Sequence, residues 1–213
     1  MTLWARVQRG WPWLIVAALL VPWSGSARRP APHDSPTARL LGPIGSLAAS
    51  VEWVRFDLAL RAGRNERAYA RAESALRLDP VSPEGWLTLG RHMITLRGSA
   101  ANEADVGRRM RWWRAGLDLL ARGEEQSNAP GELALAQGVY LAFYVDEFLA
   151  ADDWMPDLWP GGRLAALREA LEALERAEAH GHPRAHTTLH EALERVGGWF
   201  SARFLDALVP PRR

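Results

Sequence analysis

His186 and His190 stand four residues apart in the run HTTLHE, with His180 and His182 shortly before them. On a helix that spacing puts both imidazoles on one side, where they could share a zinc ion. A catalytic metalloprotease motif needs a glutamate inside such a pair, whereas Glu191 follows this one, and the sequence names no third ligand. Ordinary helix and loop histidines are therefore the leading reading. A metal-dependent hydrolase built on His186 and His190 is the alternative.

Two charged stretches raise further possibilities. Between Gly123 and Pro160 the carboxylates Glu124, Glu125, Glu132, Asp146, Glu147, Asp152, Asp153 and Asp157 occur without a single arginine. Asp146 and Asp153, seven apart, could share a helix face as a glycosidase-like pair or a divalent-cation site would require, but a solvated acidic face is the plainer reading. The opposite feature is Arg108, Arg109, Arg111, Trp112, Trp113 and Arg114. Basic residues interleaved with aromatics can bind nucleic acid or anionic lipid. On a helix, however, neighbours point about 100° apart, so one of the two tryptophans would turn into the protein and the arginines would pair with nearby acids. Pairing within or between subunits leads, anionic lipid follows, and no nucleic-acid partner is expected. The loop 153–159 carries Trp154, Met155, Leu158 and Trp159, large side chains of the kind that anchor protein interfaces unless they fold back to seal the helix stack.

Composition narrows the chemistry. The 213 residues suffice for one ordinary domain and an appendage, and 48% hydrophobic with 24% charged residues suits a sizeable core. A net charge of +1 gives no global argument for a polyanionic partner. Without cysteine there are no disulfides, no thiolate nucleophile, no cysteine zinc site and no lipidated N-terminal cysteine. All 26 basic residues are arginine, which rules out Schiff-base and P-loop lysine mechanisms. No phosphate-binding glycine loop and no serine nucleophile motif occurs, so neither a catalytic residue nor a cofactor is expected.

The elements that position these residues read as helices. Valine and isoleucine are sparse beside alanine and leucine, and no long alternating run suggests a sheet. In Ala49–Gly90, Ala68, Ala72, Ala75 and Leu76 recur at helical spacing, and alanine permits close approach of a neighbour. Val51, Val54, Leu58 and Ala59 offer the matching stripe on the preceding helix. Gly63 suits a left-handed helix end and Pro80 a stop. Further helices are expected from about 103 to 122, 131 to 151, 164 to 179 and 184 to 196. A last one runs from Trp199 to Val209 beyond Gly197-Gly198, giving about eight in the domain. Gly42-Pro43-Ile44-Gly45 interrupts the start, with proline suited to a first helical turn near Pro43.

This punctuation resembles the tetratricopeptide repeat. With a unit opening at Ala49, Gly63, Ala68, Ala75, Leu76, Leu78, Asp79 and Pro80 fall on favoured positions; a second unit from Pro83 places Trp86, Leu89 and Gly90 likewise. Glu52 and Phe56 depart from the pattern, so packing there must differ. The likeness is clearest over 49–96. It implies an all-α fold of antiparallel helical hairpins stacked as a short α-solenoid, and binding of a partner protein or peptide rather than catalysis. Arg55, Arg91 and His92, with Trp112 or Trp113, are candidate lining residues of its groove; Arg108, Arg109, Arg111, Trp154 and Trp159 are further partner-binding candidates.

At the N-terminus, Arg6 and Arg9 precede a run free of charge from Gly10 to Ala27. Residues 1–27 therefore read as a hydrophobic helix serving as signal peptide or membrane anchor, with 11–27 in the membrane. Trp11, Trp13 and Trp23 favour a retained anchor; Ser24-Gly25-Ser26-Ala27 favours cleavage. Residues 28–39 read as a proline-rich linker and 40–213 as the helical domain. The expectation is a scaffold or adapter in a bacterial cell-envelope assembly. It would be held at the cytoplasmic membrane with its domain facing outward, or exported after cleavage. A self-associating homo-oligomeric subunit is a further alternative.

Overall fold

The computed structural model describes residues 36–144 and 159–208. Among the described residues there are seven α-helices and no strand: α1 (Pro36–Arg61), α2 (Asn65–Leu78), α3 (Pro83–Arg91), α4 (Val106–Gln126), α5 (Pro130–Val139), α6 (Gly162–Ala179) and α7 (Ala185–Leu208). The all-α expectation holds. Helix α3 continues directly into a π-helical segment, His92–Arg97, and α5 into another, Tyr140–Tyr144. The N-terminal apolar run, linker residues 28–35, the acids from 146 to 157 and Trp154 lie outside the described residues. Among the described residues, no helix is long and apolar enough to cross a membrane.

The first hairpin follows from small residues and one left-handed turn. Gly63, at φ 68°, reverses the chain, and the N–H groups of Gly63 and Arg64 donate back to the carbonyls of Leu60 and Ala59 at 2.9 Å. Ala68, Ala72, Ala75 and Leu76 of α2 are buried as expected. The stripe expected of α1 is not. Val51, Val54 and Leu58 are 45, 59 and 58% exposed, while Ala49, Phe56 and Ala59 turn inward. Helix α1 has two apolar faces, and the one bearing Trp53 and Phe56 removes more apolar surface from water when packed. The departure at Glu52 is accommodated by arginine: its carboxylate accepts from Arg71 at 3.0 Å and from Arg55 at 2.6 Å.

The second hairpin closes tightly because its glycines leave room. A Cβ on Gly90 would lie 2.7 Å from Leu120, and one on Gly116 2.6 Å from Ile94. Trp86 fills the space over Gly123 and donates its indole N–H to the Pro80 carbonyl at 2.9 Å. Trp113 is wholly buried and donates to the Gly98 carbonyl at 3.1 Å, tying down the turn between the helices. Asp105 caps α4 through the Arg108 N–H at 2.7 Å.

The third hairpin reuses this contact. Gly138 of α5 faces Leu174 of α6 as Gly90 faces Leu120, and each π segment begins two residues after its glycine. Consecutive hairpins share one core reaching from Phe56 to Ala192, with α4 against α5 and α7 against α6. Two expected boundaries differ. Helix α1 starts at Pro36 and runs through Gly42-Pro43, and α7 runs unbroken through Gly197-Gly198. Each glycine costs a helix roughly 1 kcal/mol relative to alanine and an interior proline such as Pro43 about 3 kcal/mol, so both helices continue against local preference.

Candidate functional site

Five rings from four helices form a ladder across the first two hairpins. Trp53 meets Phe56 edge-on at 5.4 Å, Phe56 meets His92 at 5.6 Å, His92 meets Tyr69 at 5.9 Å, and Tyr69 stacks on Trp112 at 5.6 Å. The Arg97 guanidinium closes the ladder, 5.0 Å above the Trp112 ring. The π segment is what brings His92 and Arg97 together. Residues five apart on an α-helix point about 140° away from each other, whereas an i→i+5 turn brings residue i+5 back over residue i. Such a bond is present where the Gly98 N–H donates to the Met93 carbonyl at 2.8 Å.

Within this ladder three polar atoms are buried without a hydrogen-bond partner: Tyr69 Oη, His92 Nε2 and Arg97 Nε. Leaving such a group unmet costs about 1–3 kcal/mol each. Burial pushes the His92 pKa down, the Arg97 charge pushes it the same way, and Asp57 opposes both. The imidazole is therefore neutral at pH 7. Burial raises the Tyr69 pKa, with Arg97 pulling against it, so the phenol stays protonated. The set combines one guanidinium with two neutral groups able to donate, which suits a carboxylate or a backbone carbonyl.

The opposite flank of α4 is built differently. Glu124, its side chain 12% exposed, accepts from Arg176 Nε at 3.1 Å and Gln137 Nε2 at 3.0 Å, with His180 Nε2 at 3.4 Å. Beside it is a cavity of about 180 Å³ whose lining includes Asp118, Gln137, Glu169, Glu172 and Arg176. That is smaller than the roughly 300–1,000 Å³ usual for ligand pockets.

The residues singled out in the sequence distribute unevenly. His92 and Trp112 join the ladder. Arg91 is exposed beside Tyr140, where burial raises the phenol's pKa and the Arg91 charge opposes it. Arg55 is held by Glu52, and Arg108 by Glu103 at 3.0 Å. Arg111 is exposed and Arg109 is 7% exposed with its Nε unpartnered. Trp113 and Trp159 are core residues; Trp159 donates to Glu169 at 3.1 Å beneath the Arg114 guanidinium. His186 and His190 each have their own acid, Glu178 at 2.9 Å and Glu194 at 3.4 Å. Among the described residues no group of three histidine or carboxylate side chains could hold a metal ion.

Sequence reasoning missed Trp53, Phe56, Tyr69 and Arg97 as site residues. Tyr69 carried a usable signal, a lone large polar aromatic inside an alanine-rich helix. Compared with known proteins, the chain matches no family model, no curated protein and no solved structure.

Proposed function

We propose that the chain is a tetratricopeptide-like adapter, its hairpins stacked as a short α-solenoid, which binds a partner protein or peptide at the aromatic ladder. The observation that carries this reading is the trio of unmet polar atoms, Tyr69 Oη, His92 Nε2 and Arg97 Nε, under half-buried aromatic rings. A partner that reaches them supplies hydrogen bonds the free protein lacks, and stacked rings beside an arginine are what interface anchors use. The exposed Arg91 precedes His92 in sequence and lies beside Tyr140. The role is binding rather than turnover. From the charge-free run after Arg9, the adapter belongs to a bacterial cell-envelope assembly, anchored through residues 11–27 or released by cleavage.

A photo-crosslinking residue at Arg91 in the native host tests this. One discrete protein adduct is expected, lost when Arg97→Ala is added while the fold, read by circular dichroism, is unchanged. Absence of any adduct, or the same adduct with and without Arg97, overturns the proposal.

A further inference from the structure

The face of α1 turned away from the core carries Ile44, Leu47, Val51, Val54 and Leu58, exposed at 68, 64, 45, 59 and 58%. Their spacing alternates three and four, the a and d positions of a heptad repeat: Ile44, Val51 and Leu58 at a, Leu47 and Val54 at d. We infer that this stripe pairs α1 with α1 of a second copy of the chain, as a short parallel two-stranded coiled coil.

Three observations select that occupant. The stripe is narrow: the intervening exposed positions Ser46, Ser50, Arg55 and Asp57 are polar, so apolar groups are confined to the two-in-seven seam that meets another helix, not the broad face that lies on lipid. Of the five seam positions, Ile44 and Val51 at a and Leu47 at d follow the pattern favoured by parallel two-stranded pairs, while Val54 at d and Leu58 at a do not. Among the described residues the other large exposed apolar side chains, Leu96, Tyr144, Leu164 and Leu193, are scattered over the other helices, so the seam's match is the seam itself. Flanking positions also permit the pairing. Arg55 at an e position faces Ser50 at g of the second copy, Ala48 is small, and no like charges stand opposite each other over 44–58. Arg61 ends the stripe at the next d position.

The chain has no cysteine, so single cysteines report the geometry without background. Full-length protein in mild detergent is expected to sediment as a dimer. Val51→Glu combined with Val54→Glu is expected to give a monomer with unchanged far-ultraviolet circular dichroism, because both side chains lie outside the core. Val51→Ser with Val54→Ser, a milder change, should raise the dissociation constant at least tenfold. Oxidised Ile44→Cys should form a covalent dimer, since a positions of a parallel pair are close enough to bridge, while Thr88→Cys on α3 should not. A monomeric wild type, as expected if lipid or the N-terminal segment covers the stripe, overturns the inference. So does a dimer that survives the glutamate substitutions. Cross-linking only between Ile44→Cys and Leu58→Cys chains shows an antiparallel pair and overturns the parallel register.

Discussion

Helix α4 has two flanks, and they handle polar groups in opposite ways. Toward α5 and α6, Glu124 draws Arg176, Gln137 and His180 into one network. Toward α2 and the π segment of α3, Trp112 carries Tyr69 and Arg97 on its ring, and polar atoms of Tyr69, His92 and Arg97 stay unmet. The cavity lies on the satisfied flank, so loose packing does not explain why polar atoms stay unmet on the other. A satisfied network fixes how helices meet; an unsatisfied one leaves each buried group carrying its desolvation cost.

The largest expected effect tests whether the ladder's flank is as rigid as its contacts suggest. Gly116→Val places a branched side chain where even a Cβ would be 2.6 Å from Ile94 and 3.1 Å from the Gly90 carbonyl. Overpacking of this kind should lower the unfolding free energy by about 3 kcal/mol in urea titration. Gly107→Ala near the start of the same helix, whose Cβ would meet nothing nearer than 3.4 Å, should stay within about 0.5 kcal/mol of wild type. Equal effects at the two glycines would show that the α3 flank yields, and unmet atoms would then be simple slack.

On the satisfied flank, Gln137→Leu removes the amide that donates to Glu124 and bonds with Arg176. The partly buried Glu124 carboxylate loses a donor, and urea unfolding should show a loss of about 1–2 kcal/mol. A neutral result would erase the contrast between the flanks.

These contrasts also mark what the sequence could disclose. The alanine stripe of α2 was legible because small residues at helical spacing have one economical use, close packing. The face of α1 was misassigned because that helix is apolar on two sides, and periodicity cannot say which side holds the core; the bulk of Trp53 and Phe56 decided it. The pairing of His92 with Arg97 was hidden because an α-helical period separates them, and only the π segment brings them together. Trp112 and Trp113 did split between surface and core as neighbours on a helix must.

Acid offers a smaller test. The His92 pKa is lowered in the folded protein, first by burial and then by Arg97, so below about pH 6.5, the ordinary histidine value, the unfolded chain binds a proton that the folded one resists. Stability is then full above that pH and declines as pH falls toward the folded-state value. The slope from this residue must stay under the roughly 1.4 kcal/mol per pH unit that one proton can supply. Comparing thermal unfolding of His92→Gln with wild type from pH 7.5 to 5.5 isolates it; identical pH profiles would show that the imidazole already accepts a proton freely.

The sharpest comparison comes from the smallest expected change. Tyr69→Phe deletes a hydroxyl that is buried and bonded to nothing within the protein, while keeping the ring stacked on Trp112. Because no hydrogen bond is lost and a desolvated group is removed, stability should be unchanged or higher by up to about 0.5 kcal/mol. Partner capture through a cross-linker at Arg91 should nevertheless fall, since the partner loses the hydroxyl it would have met. If Tyr69→Phe instead destabilises the fold by 1 kcal/mol or more, on the scale of an ordinary intramolecular hydrogen bond, the hydroxyl has an internal role. The ladder would then be a structural seam like the Glu124 network on the other flank.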